Sequence, residues 1–149
     1  MPTRTTLANN AWEALLSAHA RLMKQFAAED IWHDLSMREY DVLYTLSKCP
    51  HPVRLGELHK HVLLSQPALS RMVDRLVERG LVQRWADPAD GRGVRLSLTD
   101  AGRARQREIG RLHARSVARA VTAELNADEL RQLATICWKL AASDKGDQA

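Results

Sequence analysis

The sequence predicts a mainly α-helical protein with one small β-hairpin (α+β). Two observations carry this: apolar residues recur every three or four positions along most of the chain, and that period gives way to alternation only between Gly80 and Thr99. Size and composition agree. The 149 residues are 45% hydrophobic and 27% charged, with 7 glycines and 5 prolines, which suits one globular domain and excludes disordered, collagen-like and many-domain chains. Lys and Arg number 22 against 18 Asp and Glu, and the formal charge of +4 permits a polyanionic partner without demanding one. Two cysteines give no disulfide framework, no apolar run approaches the ~18 residues of a membrane span, and no export signal follows Met1. The expected compartment is the cytoplasm, with no membrane partner.

Leu7, Ala11, Leu15, Ala18, Leu22 and Phe26 mark a first helix from Leu7 to about Ile31. Ser36 and Glu39 have the spacing of a capping box and open a second helix, which carries Tyr40, Leu43, Tyr44 and Leu46 inward. Pro50 and Pro52 end it near Cys49. Val53-Arg54 reads as too short for a strand of its own, and Leu55, Leu58 and Val62 mark a short third helix. A tight turn leads to a fourth. There Ser65 is the N-cap, Pro67 sits in the tolerant first turn, Leu69, Met72, Val73, Leu76 and Val77 form the apolar stripe, and Gly80 is the C′ residue.

Leu81–Trp85 and Val94–Leu98 then alternate as two antiparallel strands, and the turn formers from Asp87 to Gly93 give their hairpin a polar, basic tip. Thr99 caps a long helix that runs to about Glu124 with Ile109, Leu112, Val117, Ala120 and Val121 on its apolar face. Asn126 with Glu129 starts the last helix, whose stripe is Leu130, Leu133, Ala134, Cys137, Leu140 and Ala141, before a polar tail from Ser143.

Two short helices joined by a tight turn and followed by a hairpin form a winged helix-turn-helix, in which the fourth helix is presented to a DNA major groove. Opposite its apolar stripe lie Pro67, Ser70, Arg71, Asp74, Arg75 and Glu78, with Gln66 near the edge. Arg, Gln and Ser pair with base edges and phosphates, and the helix N-terminus beside Ser65 attracts a phosphate. A solvated face of mixed charge gives the same pattern, so the wing decides. Arg92, between two glycines, can extend into a minor groove, and Asp90 is placed to orient its guanidinium. The long helix after the wing carries Arg103, Arg107, Arg111, Arg115 and Arg119 at four-residue spacing. Most of that ridge reads as a solvated outer face, while Arg103 adds to the DNA-facing field. The candidate DNA-binding residues are therefore Ser65, Gln66, Pro67, Ser70, Arg71, Arg75, Asp90, Arg92 and Arg103.

The segments Leu64-Ser-Gln-Pro-Ala-Leu-Ser-Arg71, Val73-x-Arg-Leu-x-x-Arg-Gly-Leu-Val82, and Asp90-Gly-Arg92 followed by Val94-x-Leu-x-Leu-Thr-x-x-Gly102 occur in the order and spacing of a recognition helix, its exit and its wing. On these residues the chain resembles the multiple antibiotic resistance regulator (MarR) family of winged-helix transcription factors. The resemblance implies a single MarR-like domain over 1–149, with a winged helix-turn-helix lobe at 35–99 and dimerisation helices at 1–34 and 100–149. It also implies a homodimer that binds double-stranded DNA at a near-palindromic promoter site, as a repressor. The apolar faces of the first and last helices agree, being longer than the central lobe needs. A small aromatic or phenolic acid is the effector class the family suggests, in a crevice between the dimer helices and the lobe. Trp12, Trp32, Met37, Tyr40 and Tyr44, with His19 and His33 nearby, are the candidate walls. Met72 stands where a urate-responsive relative would carry arginine, which disfavours urate.

Other chemistry finds little support. No phosphate loop, nucleophile elbow, dinucleotide fingerprint or HExxH pair occurs, so no enzyme activity and no cofactor is expected. Cys49, His51, His59 and His61 do not fit structural zinc spacings, and no metal is expected. Cys137 reads as a core thiol rather than a redox sensor. The remaining rival is a winged helix used for protein contacts, which would tolerate loss of Arg71 and Arg92 together.

Overall fold

The structure, a computed structural model, describes residues 1–142 apart from Pro88, Asp90 and Arg92. In chain order the elements are α1 (Arg4–Ala27), α2 (Met37–Lys48), β1 (Val53–Arg54), α3 (Leu55–His59), α4 (Gln66–Glu78), β2 (Val82–Ala86), β3 (Val94–Leu98), α5 (Asp100–Thr122) and α6 (Ala127–Ala141). The chain divides into two compact units, Met1–His113 and Ala114–Ala149, with α5 running through the division. No helix among the described residues is long and apolar enough to cross a membrane.

In the first unit the three strands form an antiparallel sheet in the order β1-β3-β2. Val42 and Leu43 of α2, Leu58 of α3, Leu69 and Leu76 of α4, Val82 of β2 and Ile109 of α5 are its fully buried core. Truncating any of these leucines to alanine costs about 2–5 kcal/mol, so this core fixes the seat of α4. The Ser36–Glu39 capping box, the Ser65 cap on the Ala68 amide and Gly80 at φ 73° all occur as the sequence predicts.

Three expectations need correction. The first helix starts earlier and stops at Ala27 rather than near Ile31. Thr3 accepts from the Thr6 amide at its start, and at its end the chain turns back so that the buried Trp32 indole N–H donates to the Phe26 carbonyl at 2.8 Å. The same carbonyl accepts from the Glu29 amide at 3.1 Å, so the indole reinforces the turn that closes the helix. Val53-Arg54 is a strand after all: Val53 pairs with Leu96 and Arg54 with Arg95, a pairing too short to show as alternation. Tyr44, expected inward, is 44% exposed, because the buried arc of α2 is centred on Val42, Leu43 and Leu46.

Smaller differences lie at element ends. The third helix closes at His59, leaving Val62 in the turn, which is pinned by His59 Nε2 donating to the Leu64 carbonyl at 2.7 Å and Arg38 donating to the Leu63 carbonyl at 3.0 Å. The second strand is shifted by one residue to Val82–Ala86, and α5 ends at Thr122. In the second unit, α6 opens with the predicted Asn126–Glu129 capping box but buries none of its residues, and Cys137 is part-exposed rather than core.

Candidate nucleic-acid interface

Helix α4 is amphipathic because its apolar residues recur at helical spacing, which seats Leu69, Met72, Val73 and Leu76 in the core. The opposite face is what solvent meets. Ser65, Gln66, Pro67, Arg71 and Arg75 are exposed and Ser70 is half-buried. Apart from Glu78, which is exposed at the C-terminal end of the face, the charges on and beside it fall into two groups. Asp74 is ion-paired with Arg84 of β2, and Arg79 at the C-cap reaches Asp34 at 2.6 Å and Glu39 at 3.4 Å. These pairs anchor the helix. Arg71 and Arg75 form no ion pair among the described residues, and both guanidinia stand open to a ligand. Arg103, in the first turn of α5, is likewise exposed and without an ion pair among them.

The C-terminal end of α4 is built against the start of α5. Thr99 Oγ1 donates to the Gly80 carbonyl at 2.6 Å and accepts from the Gly102 amide at 3.0 Å, while the Thr99 amide donates to the Leu81 carbonyl at 3.1 Å. One threonine therefore caps α5 and holds the exit of α4.

The root of the wing contains a residue that sequence reasoning treated only as a turn former. The Asp87 carboxylate is fully buried: it accepts from the Ala89 amide at 2.9 Å, from Arg54 Nε at 2.8 Å, and lies 3.2 Å from Arg95 Nε. The Ala89 amide first, and then the Arg54 and Arg95 guanidinia, outweigh burial and hold its pKa down to about 2. The candidate wing-tip residues Asp90 and Arg92 lie outside the described residues.

The candidate effector residues are only partly together. Trp32, Met37 and Tyr40 are buried, with the Trp32 and Tyr40 rings 5.4 Å apart. Tyr44 lies 6.2 Å from Tyr40, with Lys48 Nζ 5.0 Å from the centre of its ring, while Trp12 on α1 is 58% exposed. His19 and His33 are exposed. The residue missed is His113. It contacts Phe26, Trp32 and Tyr40 at ring distances of 5.3, 5.1 and 5.7 Å, and its buried Nδ1 has no hydrogen-bond partner among the described residues. Its spacing of four from the core residue Ile109 was the available signal. Of the weighed metal ligands, His59 is committed to the Leu64 carbonyl and the Cys49 thiol donates to the Thr45 carbonyl at 3.3 Å. Among the described residues no three His, Cys, Asp or Glu side chains are grouped to hold a metal ion.

Known proteins share this fold. Residues 35–94 match the MarR family model. Over 107 residues, 72% of this chain and 74% of the relative, the chain is 33% identical to the multiple antibiotic resistance protein MarR of Escherichia coli. A MarR family transcriptional regulator from Streptomyces coelicolor, solved in complex with DNA, matches at a TM-score of 0.80 and 25% identity, over 100% of this chain and 93% of that one. The PcaV transcriptional regulator from the same organism, solved in complex with its natural ligand, matches at a TM-score of 0.68 and 26% identity, over 96% and 97% of the two chains.

Proposed function

The chain belongs to the MarR family of DNA-binding transcription regulators, and from that premise we propose that it is a homodimeric repressor which binds a near-palindromic promoter site and is released by a small aromatic or phenolic acid. The observation that carries the DNA-binding face is the contrast on α4, where Asp74 is consumed by an ion pair while Arg71 and Arg75 are left open. With Ser65, Gln66, Pro67 and Ser70 they give a capped helix N-terminus followed by base-reading donors. Arg92 and Asp90 at the wing tip, and Arg103 behind it, extend that surface toward the flanking minor groove and backbone. In this reading residues 35–99 are the DNA-binding lobe of a single 1–149 domain, working in the cytoplasm.

The dimer is supported by two helices that bury almost nothing on their own. Helix α1 spans 24 residues and buries only Phe26, leaving Leu7, Trp12, Leu15 and Leu16 exposed. Helix α6 leaves Leu133, Ile136, Trp138 and Leu140 exposed. Amphipathic helices owe most of their stability to tertiary packing, so each face needs a second chain. A two-fold dimer places its two copies of α4 about one helical turn of DNA apart.

The effector reading rests on the aromatic residues and on the relative solved with its natural ligand. Trp32, Met37 and Tyr40 supply an apolar wall, and Trp12 and Tyr44 supply accessible rings. A thermal-shift screen of aromatic acids, followed by titration of the bound promoter duplex with each stabilising compound, tests it. Coupling is reciprocal, so an inducer stabilises free protein and loosens the DNA complex. Compounds that stabilise the protein yet leave DNA affinity unchanged would remove the switch from the account.

A further inference from the structure

Asp87 has a side chain with 0% exposure, and a buried carboxylate is costly unless ion pairs and hydrogen bonds satisfy it. Its bonds reach three parts of the fold. Asp87 Oδ1 accepts from the Ala89 amide at 2.9 Å, and the Asp87 amide donates to the Gly93 carbonyl at 3.0 Å, which closes the turn between β2 and β3. Asp87 Oδ2 takes both Arg54 Nε at 2.8 Å and Arg54 Nη2 at 2.6 Å, with Arg95 Nε 3.2 Å away. Arg54 is the second residue of β1 and the N-cap position of α3. Arg95 in turn donates to the Pro52 carbonyl at 3.3 Å.

The strand that joins the helix-turn-helix to the wing is only two residues long, and a ribbon held by so few ladder bonds is weakly fixed. We propose that Asp87 is a positioning residue for DNA recognition, locking the root of the wing to the start of α3 through Arg54 so that the wing and α4 meet DNA as one rigid reader. This rests on the reading that the wing contacts DNA through Arg92. A well-packed apolar contact could give as much stability as this buried ion pair, and a charged tie is better suited to fixing one geometry than to adding stability.

The test is a mutant cycle read in promoter affinity. Asp87→Asn keeps the size and the acceptor for the Ala89 amide but removes the charge that holds Arg54. It should weaken promoter binding about tenfold and erode the preference for flanking sequence, within the usual coupling of contacting residues. In an Arg92→Ala background the same substitution should cost almost nothing further in affinity, although it should lower Tm equally in both backgrounds. Arg54→Met, made at a half-exposed side chain, should repeat the non-additivity even if Asp87→Asn folds poorly. Equal losses of affinity with and without Arg92 would mean that Asp87 acts on the fold at large, and would overturn the proposal. Wild-type affinity in Arg92→Ala alone would instead remove the wing reading, and the positioning role with it.

Discussion

Gly102 sits so close to the Leu81 carbonyl that a Cβ at residue 102 would come within 2.0 Å of that oxygen. The first turn of α5 thus lies directly on the chain leaving α4, and the bonds from Thr99 to Gly80 and Leu81 close the junction from the other side. Glycine after the wing is required by this approach of two backbones. It follows that Gly102→Ala should destabilise the protein by about 1–3 kcal/mol or more, since neither backbone can yield. Gly56→Ala in α3 is the control: a Cβ there meets nothing within 4 Å, and helix propensity favours alanine by roughly 1 kcal/mol. Thermal unfolding of the two variants should move in opposite directions. Equal Tm values would show that the junction relaxes freely.

Arg71→Ala and Arg92→Ala should fail in different ways. Each lost contact should cost about 1–3 kcal/mol, counted twice by two-fold symmetry. Arg71→Ala should relax preference at a defined position in each half-site, whereas Arg92→Ala should weaken binding most at A·T-rich flanks, where the minor groove is narrow. Binding of a randomised-site library separates the two. Unchanged affinity in both would place the DNA-binding face elsewhere.

These expectations were legible because α4 and the hairpin announce themselves locally. The Ser65 cap, the stripe from Leu69 to Leu76 and Gly80 are short-range signals, and each recurs in the structure where the sequence puts it. What escaped was non-local. β1 exists only because Leu96 and Arg95 of a strand forty residues later lie beside it, and Asp87 becomes a hub only when Arg54 and Arg95 converge on it. Helix α1 ends at Ala27, short of its periodic pattern, for the same reason, since Trp32 finds its acceptor through a turn that periodicity does not encode. Asp34 likewise shows its partners, Arg79 and Arg105, only once the chain is folded.

The dimer should be breakable at α6. Ile136 is 58% exposed and Trp138 74% exposed in the single chain, and burying such side chains contributes about 1.5–3 kcal/mol each, twice per dimer. Ile136→Glu should therefore convert the dimer to monomer in sedimentation velocity and abolish promoter binding, while Arg71→Ala stays dimeric. A monomeric variant that still binds the promoter with wild-type affinity would contradict the proposed assembly.

Stability should also report on His113. Burial among Phe26, Trp32 and Tyr40 pushes its imidazole below the usual histidine range, against the pull of the Glu29 carboxylate. With the folded-state pKa depressed, the unfolded chain binds the proton first. The contribution is therefore fully present above about pH 6.5 and is lost as pH falls through the lowered value. His113→Phe should lose less Tm than the wild-type protein between roughly pH 7.5 and 5.5, a range that brackets the free imidazole pKa. Parallel pH profiles would show that His113 does not carry this dependence.

The central claim is that a dimer reads a specific duplex with α4 and its wing. The most direct measurement is fluorescence anisotropy of the chain's own promoter region and of a random duplex, titrated across salt concentrations at known oligomeric state. The account predicts a dimer that binds the promoter at least about a thousandfold more tightly than random DNA at physiological salt, with log affinity falling linearly as log salt rises. Equal affinity for both duplexes, or promoter binding by a monomer, would contradict it.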